Sequence, residues 1–229
     1  MPAPLSVVIP TLNAAPDLPE TLAALGEGLA AGLIRELVIS DGGSSDATEA
    51  LAEAAGAVWV RGAAGRGGQL ARGAAAAKAN WLLFLHADTH LSPGWAGAVA
   101  AHLAHGGDDA AAFHLAFRAA GAAPRIVAGW ANLRSRLFGL PYGDQGLLVA
   151  RALYDAVGGY ANQPLMEDVA LARRLRGRIR LLPARALTGA ERYLREGWVQ
   201  RGARNLWTLA RYFCGADPQV LARGYNRRR

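Results

Sequence analysis

An alternation of short apolar runs with alanine-rich runs fills the first 90 residues, and few folds accommodate it. Leu5 to Pro10 (LSVVIP), Glu36 to Ser40 (ELVIS), Ala57 to Arg61 and Trp81 to His86 read as strands, with helices over Asp17 to Leu33, Asp46 to Ala55 and Gln69 to Ala79 between them. The second helix is expected to open at Ser44 or Ser45, with Glu49 early in it. Strands that are apolar throughout, separated by helices, imply a mostly parallel sheet covered on both faces, with right-handed crossovers. In that architecture ligands collect at the carboxyl ends of the strands.

The pattern weakens after Ala110. Ala110 to Phe117, Gly146 to Ala150 and Ile179 to Pro183 read as further strands, Arg125 to Phe138 and Met166 to Arg176 as helices, and residues 196 to 213 as a basic helical tail. There is no internal repeat and no low-complexity linker. One α/β domain over residues 1–190 with a basic helical extension over 191–229 is the simplest organisation.

Composition narrows the function classes. The net charge of +7 is uneven: residues 171 to 229 carry 15 arginines against Glu191, Glu196 and Asp217, a net of +12, so the first 170 residues are acidic. The positive charge alone is compatible with nucleic acid, an anionic lipid surface or phosphorylated small molecules. A single cysteine, Cys214, excludes a disulfide framework and a multi-cysteine zinc site. The longest apolar stretches, Asn80 to Ala87 and Trp95 to Ala101, are far shorter than the roughly 20 residues a membrane helix needs. The first residues lack the pattern of a secretion leader, so a cytoplasmic protein is expected.

The corners after the strands carry the chemistry. Pro10-Thr11-Leu12-Asn13, Asp41-Gly42-Gly43-Ser44-Ser45-Asp46 and His86-Ala87-Asp88-Thr89 place polar and carboxylate groups at one sheet edge. Each corner by itself also fits an ordinary turn or helix cap; three at one edge fit a ligand site better. Asp41 is placed to accept from a base or ribose. Gly62 to Gly73, which contains Arg66, Gln69 and Arg72, offers free backbone N–H groups and guanidinium groups to phosphate, although it matches neither GxGxxG nor GxxxxGK[ST]. His86 and Asp88, two apart on a strand end, leave the same face and offer donors that suit magnesium or manganese. His90, His102, His105 and His114 follow no metal-ligand spacing. Glu167 and Asp168 open a helix, where carboxylates are favoured by the helix dipole or serve as a general base.

The ordered set SVVIPTLN, VISDGGSSDAT, GRGGQLARGAAAAKANWLLFLHADT, GDQGLLVARALYDAVGGY and LMEDVALARRLR, over about residues 5 to 183, resembles family 2 glycosyltransferases of the GT-A fold, and is similar above all to short stand-alone bacterial members with an LHADT motif. The resemblance implies an α/β nucleotide-diphospho-sugar transferase fold: a Rossmann-like, mostly parallel sheet flanked by helices. It implies an enzyme that moves a sugar, with inversion and metal assistance, from a nucleotide diphosphate sugar to an unidentified hydroxyl acceptor. Pro10, Thr11, Asn13, Asp41, Arg66 and Gln69 would bind the nucleotide. Asp88 would reach a divalent cation, manganese or magnesium, with His86 standing where relatives have the first aspartate of DxD. Asp168 would be the catalytic base with Glu167 beside it, and Asp144, Gln145 and Arg192 would lie near the sugar or acceptor. Glu191 occupies a position where near relatives tend to be basic.

From Arg192 to Phe213 arginines mix with Trp198, Leu206, Trp207, Leu209, Tyr212 and Phe213. Such a helix either packs its aromatics on the domain with arginines facing water, or lies at an anionic membrane, which would make the protein peripheral at the inner face. A nucleic-acid partner is not expected, because it leaves Asp41, Asp88, Asp144 and Asp168 without a role. A nucleotidyltransferase, or a nucleotide-binding protein that has lost catalysis, are the remaining alternatives.

Overall fold

In the computed structural model, which describes residues 3–105 and 107–226, the first four apolar runs become β1 (Leu5–Thr11), β2 (Ile34–Asp41), β3 (Val58–Arg61) and β4 (Trp81–Phe84), joined by α1 (Leu18–Ala30), α2 (Thr48–Ala54) and α3 (Arg66–Ala76). β1 pairs in parallel with β2 and β4, and β2 with β3. Successive residues of β1 enter two separate cores. Leu5, Val7 and Ile9 pack with Leu18, Ile39, Leu83, Trp95 and Phe113, whereas Val8 packs with Val38, Leu70, Ala74, Leu82 and Phe84. Both faces of the strand are covered, so both sets of side chains are apolar, each worth about 1.5–3 kcal/mol of transfer free energy. Of the two polar residues of β1, Ser6 donates its hydroxyl to Glu36 Oε1 at 2.6 Å and Thr11 donates its own to Asp41 Oδ1 at 3.0 Å. α3 reaches the sheet because residue 73 is glycine; a Cβ there would lie 2.4 Å from Val8 Cγ1.

The rest of the chain adds β5 (Thr89–Leu91), α4 (Trp95–His105), β6 (Ala110–Phe117), α5 (Ala122–Phe138), a 3-10 turn at Gly143–Gln145, β7 (Leu147–Ala150), α6 (Arg151–Ala156), α7 (Glu167–Arg174), β8 (Ile179–Thr188), α8 (Glu191–Glu196), α9 (Trp198–Phe213) and α10 (Pro218–Asn226). Eight strands form one sheet in the order β3-β2-β1-β4-β7-β6-β8-β5. β7 is antiparallel to β4 and β6, β6 and β8 are parallel, and β5 is antiparallel to the end of β8. The sheet is thus parallel through its first four strands and mixed beyond them.

Three local departures from the sequence expectations have physical causes. β5 is three residues long, too short for a period to register. β8 continues past Pro183 to Thr188 because the ladder steps from Phe113↔Leu182 to His114↔Arg185, so the proline, which has no N–H to donate, falls in a register shift. α2 starts at Thr48 with Ala47 as its N-cap rather than a serine. Ser44 and Ser45 instead serve the first corner: Asn13 N donates to Ser44 Oγ at 2.8 Å, and Ser45 N donates to Asn13 Oδ1 at 2.9 Å.

A third core joins α5 to the tail: Leu115, Phe117, Ala128, Ala131 and Ala190 are buried against Val127, Tyr193 and Trp198. Tyr193 and Trp198 stack with centroids 4.7 Å apart, and both rings meet Phe117 edge-on at 5.0 Å. The expectation that the tail packs its aromatics inward holds for these two and fails for Trp207 and Phe213, which are exposed. Arg227, Arg228 and Arg229 lie outside the described residues. No helix among the described residues is long and apolar enough to cross a membrane.

Candidate functional site

The corners after β1 and β2 are built as one unit around Asp41, which is fully buried. Its Oδ1 accepts from Thr11 Oγ1 (3.0 Å) and Ser44 Oγ, and its Oδ2 from the N–H groups of Gly43 (2.7 Å) and Ser44 (2.8 Å). Burial opposes ionisation of this carboxyl, yet the hydrogen bonds from Ser44, Gly43 and Thr11 outweigh it and hold the pKa below the ordinary carboxylate value. Gln69 is a strut behind the corner. Its Nε2 donates to Thr11 O (2.7 Å) and Ser40 O (3.0 Å), and its Oε1 accepts from Gly65 N (3.1 Å). Asn13 adopts φ +51°, a left-handed conformation stabilised by its two bonds to Ser44 and Ser45. Pro10 is half-buried beside it.

A second set of groups meets across the strand edge from β4, the 3-10 turn and α7. The turn carries Gly143, and a Cβ there would lie 2.6 Å from His86 Nε2 and 3.7 Å from Asp168 Oδ2, so only glycine lets these two side chains approach the same backbone. Gly143 N donates to Asp168 Oδ2 at 2.8 Å, and Val169 N to Asp168 Oδ1 at 2.7 Å. Before them, Met166 is left-handed with φ +64°, a costly conformation for a residue with a long side chain, placed where the chain turns into the Glu167-Asp168 pair.

The electrostatics of this second set are unlike those of the first. Burial pushes the Asp144 carboxyl up to about 6, with repulsion from Asp168 and Asp88 adding to it while Arg134 and Arg66 oppose. Asp144 Oδ1 is buried with no hydrogen-bond partner among the described residues. Glu167 is pushed up to about 7 by burial and by Asp168 next to it, despite Arg66 Nη1 at 3.6 Å from its Oε1. The His86 imidazole is driven well below its ordinary value by burial, with the positive charges of Arg66 and Arg192 acting in the same direction, and is therefore neutral. Asp88, Asp144, Glu167 and Asp168 thus share a field with Arg66, Arg134 and Arg192.

Not every sequence-predicted residue faces that field. Gln145 is fully buried and tied to the fold: Ser135 Oγ donates to its Oε1 at 2.7 Å, and its Nε2 donates to Phe113 O at 3.0 Å. Two residues were missed. Arg134, on the buried face of α5 with Ala128, Ala131 and Ser135, lies 3.4 Å over the Tyr142 ring, and its Nη2 is buried with no hydrogen-bond partner among the described residues. A cation at a core position of an amphipathic helix was the available signal. Tyr142 itself, its phenol raised far above its ordinary pKa by burial, covers Arg134.

Among the described residues no group of three or more histidine, cysteine, aspartate or glutamate side chains lies close enough to hold a metal ion. The donor chemistry nevertheless fits a hard cation. Asp88 supplies carboxylate oxygens, His86 a neutral nitrogen, and the unpartnered Asp144 Oδ1 is a buried acceptor that a cation would satisfy.

The model of glycosyl transferase family 2 matches residues 6–140. No curated protein sequence matches the chain. Among solved structures, S. aureus TarS 1–349 superposes with a TM-score of 0.61 and 15% identity, over 90% of this chain and 64% of that one. Its complex with UDP-GlcNAc gives 0.59 and 16%, over 81% and 58%. Glucosyl-3-phosphoglycerate synthase from Mycobacterium tuberculosis, in complex with Mn2+, UDP and glucosyl-3-phosphoglycerate, gives 0.57 and 23%, over 81% and 70%. The chain therefore spans less than two thirds of the length of TarS 1–349.

Proposed function

Because the chain belongs to glycosyl transferase family 2 and has a GT-A fold, we propose that it moves a sugar from a nucleotide diphosphate sugar to a hydroxyl acceptor with inversion at the anomeric carbon. One observation carries the reading: Gly143 lies against both His86 Nε2 and Asp168 Oδ2, and around it Asp88 and Asp168 repel Asp144 while Arg66 and Arg192 act on His86. Transfer needs a carboxylate to take a proton and positive charge to receive a departing diphosphate, and both are present in one place.

In this reading Pro10, Thr11, Asn13 and Asp41 form the nucleotide corner. Asp41 already holds four donors, so it shapes the corner, and Gln69 braces it from behind. Arg66 and Arg192 flank the diphosphate. Asp168 is the base: its two backbone hydrogen bonds fix both oxygens and leave lone pairs for the acceptor hydroxyl. The acceptor oxygen bonds to the anomeric carbon as that carbon's bond to the diphosphate oxygen breaks, and the hydroxyl proton goes to Asp168. Glu167, buried against Arg66, stands beside it. Asp88, with His86 and Asp144 as further donors, would hold manganese or magnesium, which when bound supplies positive charge to the diphosphate. Arg134, stacked on Tyr142, supports Asp144 at the sugar or acceptor end.

Nucleotide binding without transfer is the second reading, favoured by the neutral His86 where relatives have a carboxylate. A thermal-shift panel of nucleotide diphosphates and nucleotide sugars, with and without manganese, separates them. It starts with uridine nucleotides because the TarS and synthase structures contain UDP or UDP-GlcNAc. Stabilisation by at least one nucleotide diphosphate, lost or weakened in Asp88→Ala, is expected. No shift with any of them rejects both readings, and a shift without sugar transfer to any hydroxyl acceptor rejects the first.

A further inference from the structure

The two helices that meet behind β6 each bury polar side chains beside their core residues and leave a stripe of large apolar ones in the open. α9 carries one polar stripe, Arg201, Arg204, Asn205 and Thr208, and one apolar stripe, Val199, Leu206, Trp207 and Phe213. A helix on a water-soluble domain normally sends the apolar stripe inward. Here the polar stripe is inside: Arg201 is 6% exposed with its Nη1 donating to Glu196 Oε1 at 2.8 Å, Arg204 also donates to Glu196, and Asn205 Nδ2 donates to Tyr193 Oη at 3.1 Å. The apolar stripe faces out, with Val199 86% and Trp207 67% exposed. α5, which packs against α9, likewise buries polar groups beside Ala128 and Ala131 and exposes a large apolar stripe. Arg134 and Ser135 are buried, whereas Ile126, Trp130, Leu133 and Leu137, spaced four, three and four apart on one side, are exposed.

Large apolar side chains gathered on neighbouring helices mark an interaction surface rather than scattered exposure. The charge around them selects the partner. Neither α5 nor α9 contains an aspartate or glutamate, and exposed Arg125 and Arg136 on α5, Arg195 on α8, Arg211 on α9 and Arg223 on α10 lie on and beside them. A second copy meeting this face isologously would set arginine against arginine. Nucleic acid would leave Ile126, Leu133, Leu137 and Val199 without an apolar partner. An anionic lipid bilayer satisfies both features at once, an acyl boundary for the apolar stripes and headgroup charge for the arginines, with Trp130 and Trp207 of the residue type favoured at that depth.

We infer that α5 and α9 together form a membrane-docking surface for anionic lipid, in which the apolar stripes enter the interface and the flanking arginines bind headgroups. The surface is separate from the transfer site and stands or falls without it.

The test is flotation of the full chain with vesicles of phosphatidylcholine alone or mixed with phosphatidylglycerol, alongside light scattering and a thermal melt. Strong partition onto the mixed vesicles, little onto phosphatidylcholine, and a roughly tenfold or larger loss for Trp130→Glu and for Trp207→Glu are expected. High salt should weaken the partition without abolishing it, since apolar insertion is not screened. Both substituted side chains are half or more exposed, so an unchanged melting temperature verifies the fold. The inference is overturned by absence of flotation at low salt. It is overturned equally by flotation that arginine substitutions abolish and both glutamate variants leave intact, or by a dimer that those variants dissociate. A protein that floats but is shifted by no nucleotide keeps this surface and loses the transfer reading; the converse result does the opposite.

Discussion

Two groups of carboxylates sit at the same edge of one sheet and behave in opposite ways. Asp41, the last residue of β2, is buried with four donors around it and is held below the ordinary carboxylate range. Glu167, on α7, is buried, and Asp144, in the 3-10 turn, is half-buried with its Oδ1 enclosed; both face other carboxylates, and Asp144 is pushed up to about 6 and Glu167 to about 7. Burial raises all three; at Asp41 hydrogen bonds outweigh it, and at Asp144 and Glu167 repulsion from neighbouring carboxylates adds to it. A carboxylate whose donors come from its own corner organises structure. Asp144, left with repulsion and an unpartnered Oδ1 among the described residues, has no such local support.

Four substitutions test that contrast, and the first is expected to have the largest effect. Asp168→Asn removes the proton acceptor, and its one remaining oxygen keeps only one of the two N–H groups, of Gly143 and Val169, that Asp168 accepts on separate oxygens; transfer should fall by about 10²–10⁴ with the nucleotide-induced thermal shift retained. Retained turnover rejects Asp168 as the base. Asp41→Ala strands the N–H groups of Gly43 and Ser44 and the hydroxyl of Thr11, and should cost about 2–4 kcal/mol in chemical denaturation. Since the folded pKa of Asp41 is depressed, its contribution is present above the unfolded value of 3.8 and fades as pH falls through the folded one; the variant should lack that acid-side loss.

Glu167→Gln tests the other sign. A carboxyl raised from 4.5 to about 7 favours the folded state while protonated and loses that advantage as pH rises between those values. The variant should therefore be more stable than the parent above pH 7, by on the order of 1 kcal/mol once the lost Arg66 contact is allowed for. A destabilised variant at pH 8 would mean that the ion pair with Arg66 outweighs burial. The smallest effect is expected from Asp144→Asn, which relieves repulsion from Asp168 and Asp88: a melting temperature raised by a few degrees without cation, and a smaller manganese-induced shift. An unchanged manganese shift removes Asp144 from the donors.

Much of the first region was legible in the sequence. The runs around Val7, Val8 and Ile9 announce a strand covered on both faces, and the corner residues Thr11, Asn13 and Asp41 lie at or just past the strand ends, where side chains gather by topology. The second region was legible only as separate fragments. His86, Asp144 and Asp168 are 58 and 24 residues apart in order, and nothing local states that Gly143 lies against both His86 and Asp168. Arg134 is marked in the sequence only by its place on the core side of an amphipathic helix, and Tyr142, its stacking partner in the turn after that helix, by nothing periodic. Gln145 and Gln69 were placed near ligands by their neighbours in the chain, yet their amides are bonded to backbone and to Ser135.

By itself the sequence determined what depends on neighbours within a few residues: which segments are strands or helices, that β1 is covered on both sides, that carboxylates come after the strands, and that the last quarter is basic. The tertiary structure alone decided which of those carboxylates are satisfied and which way the amphipathic helices turn. The amphipathic pattern of α9 is the same whichever stripe points inward. Glu196 and Tyr193, which receive Arg201, Arg204 and Asn205, decide it. Orientation and pKa are sums over groups distant in the chain, and folding is what brings those groups together.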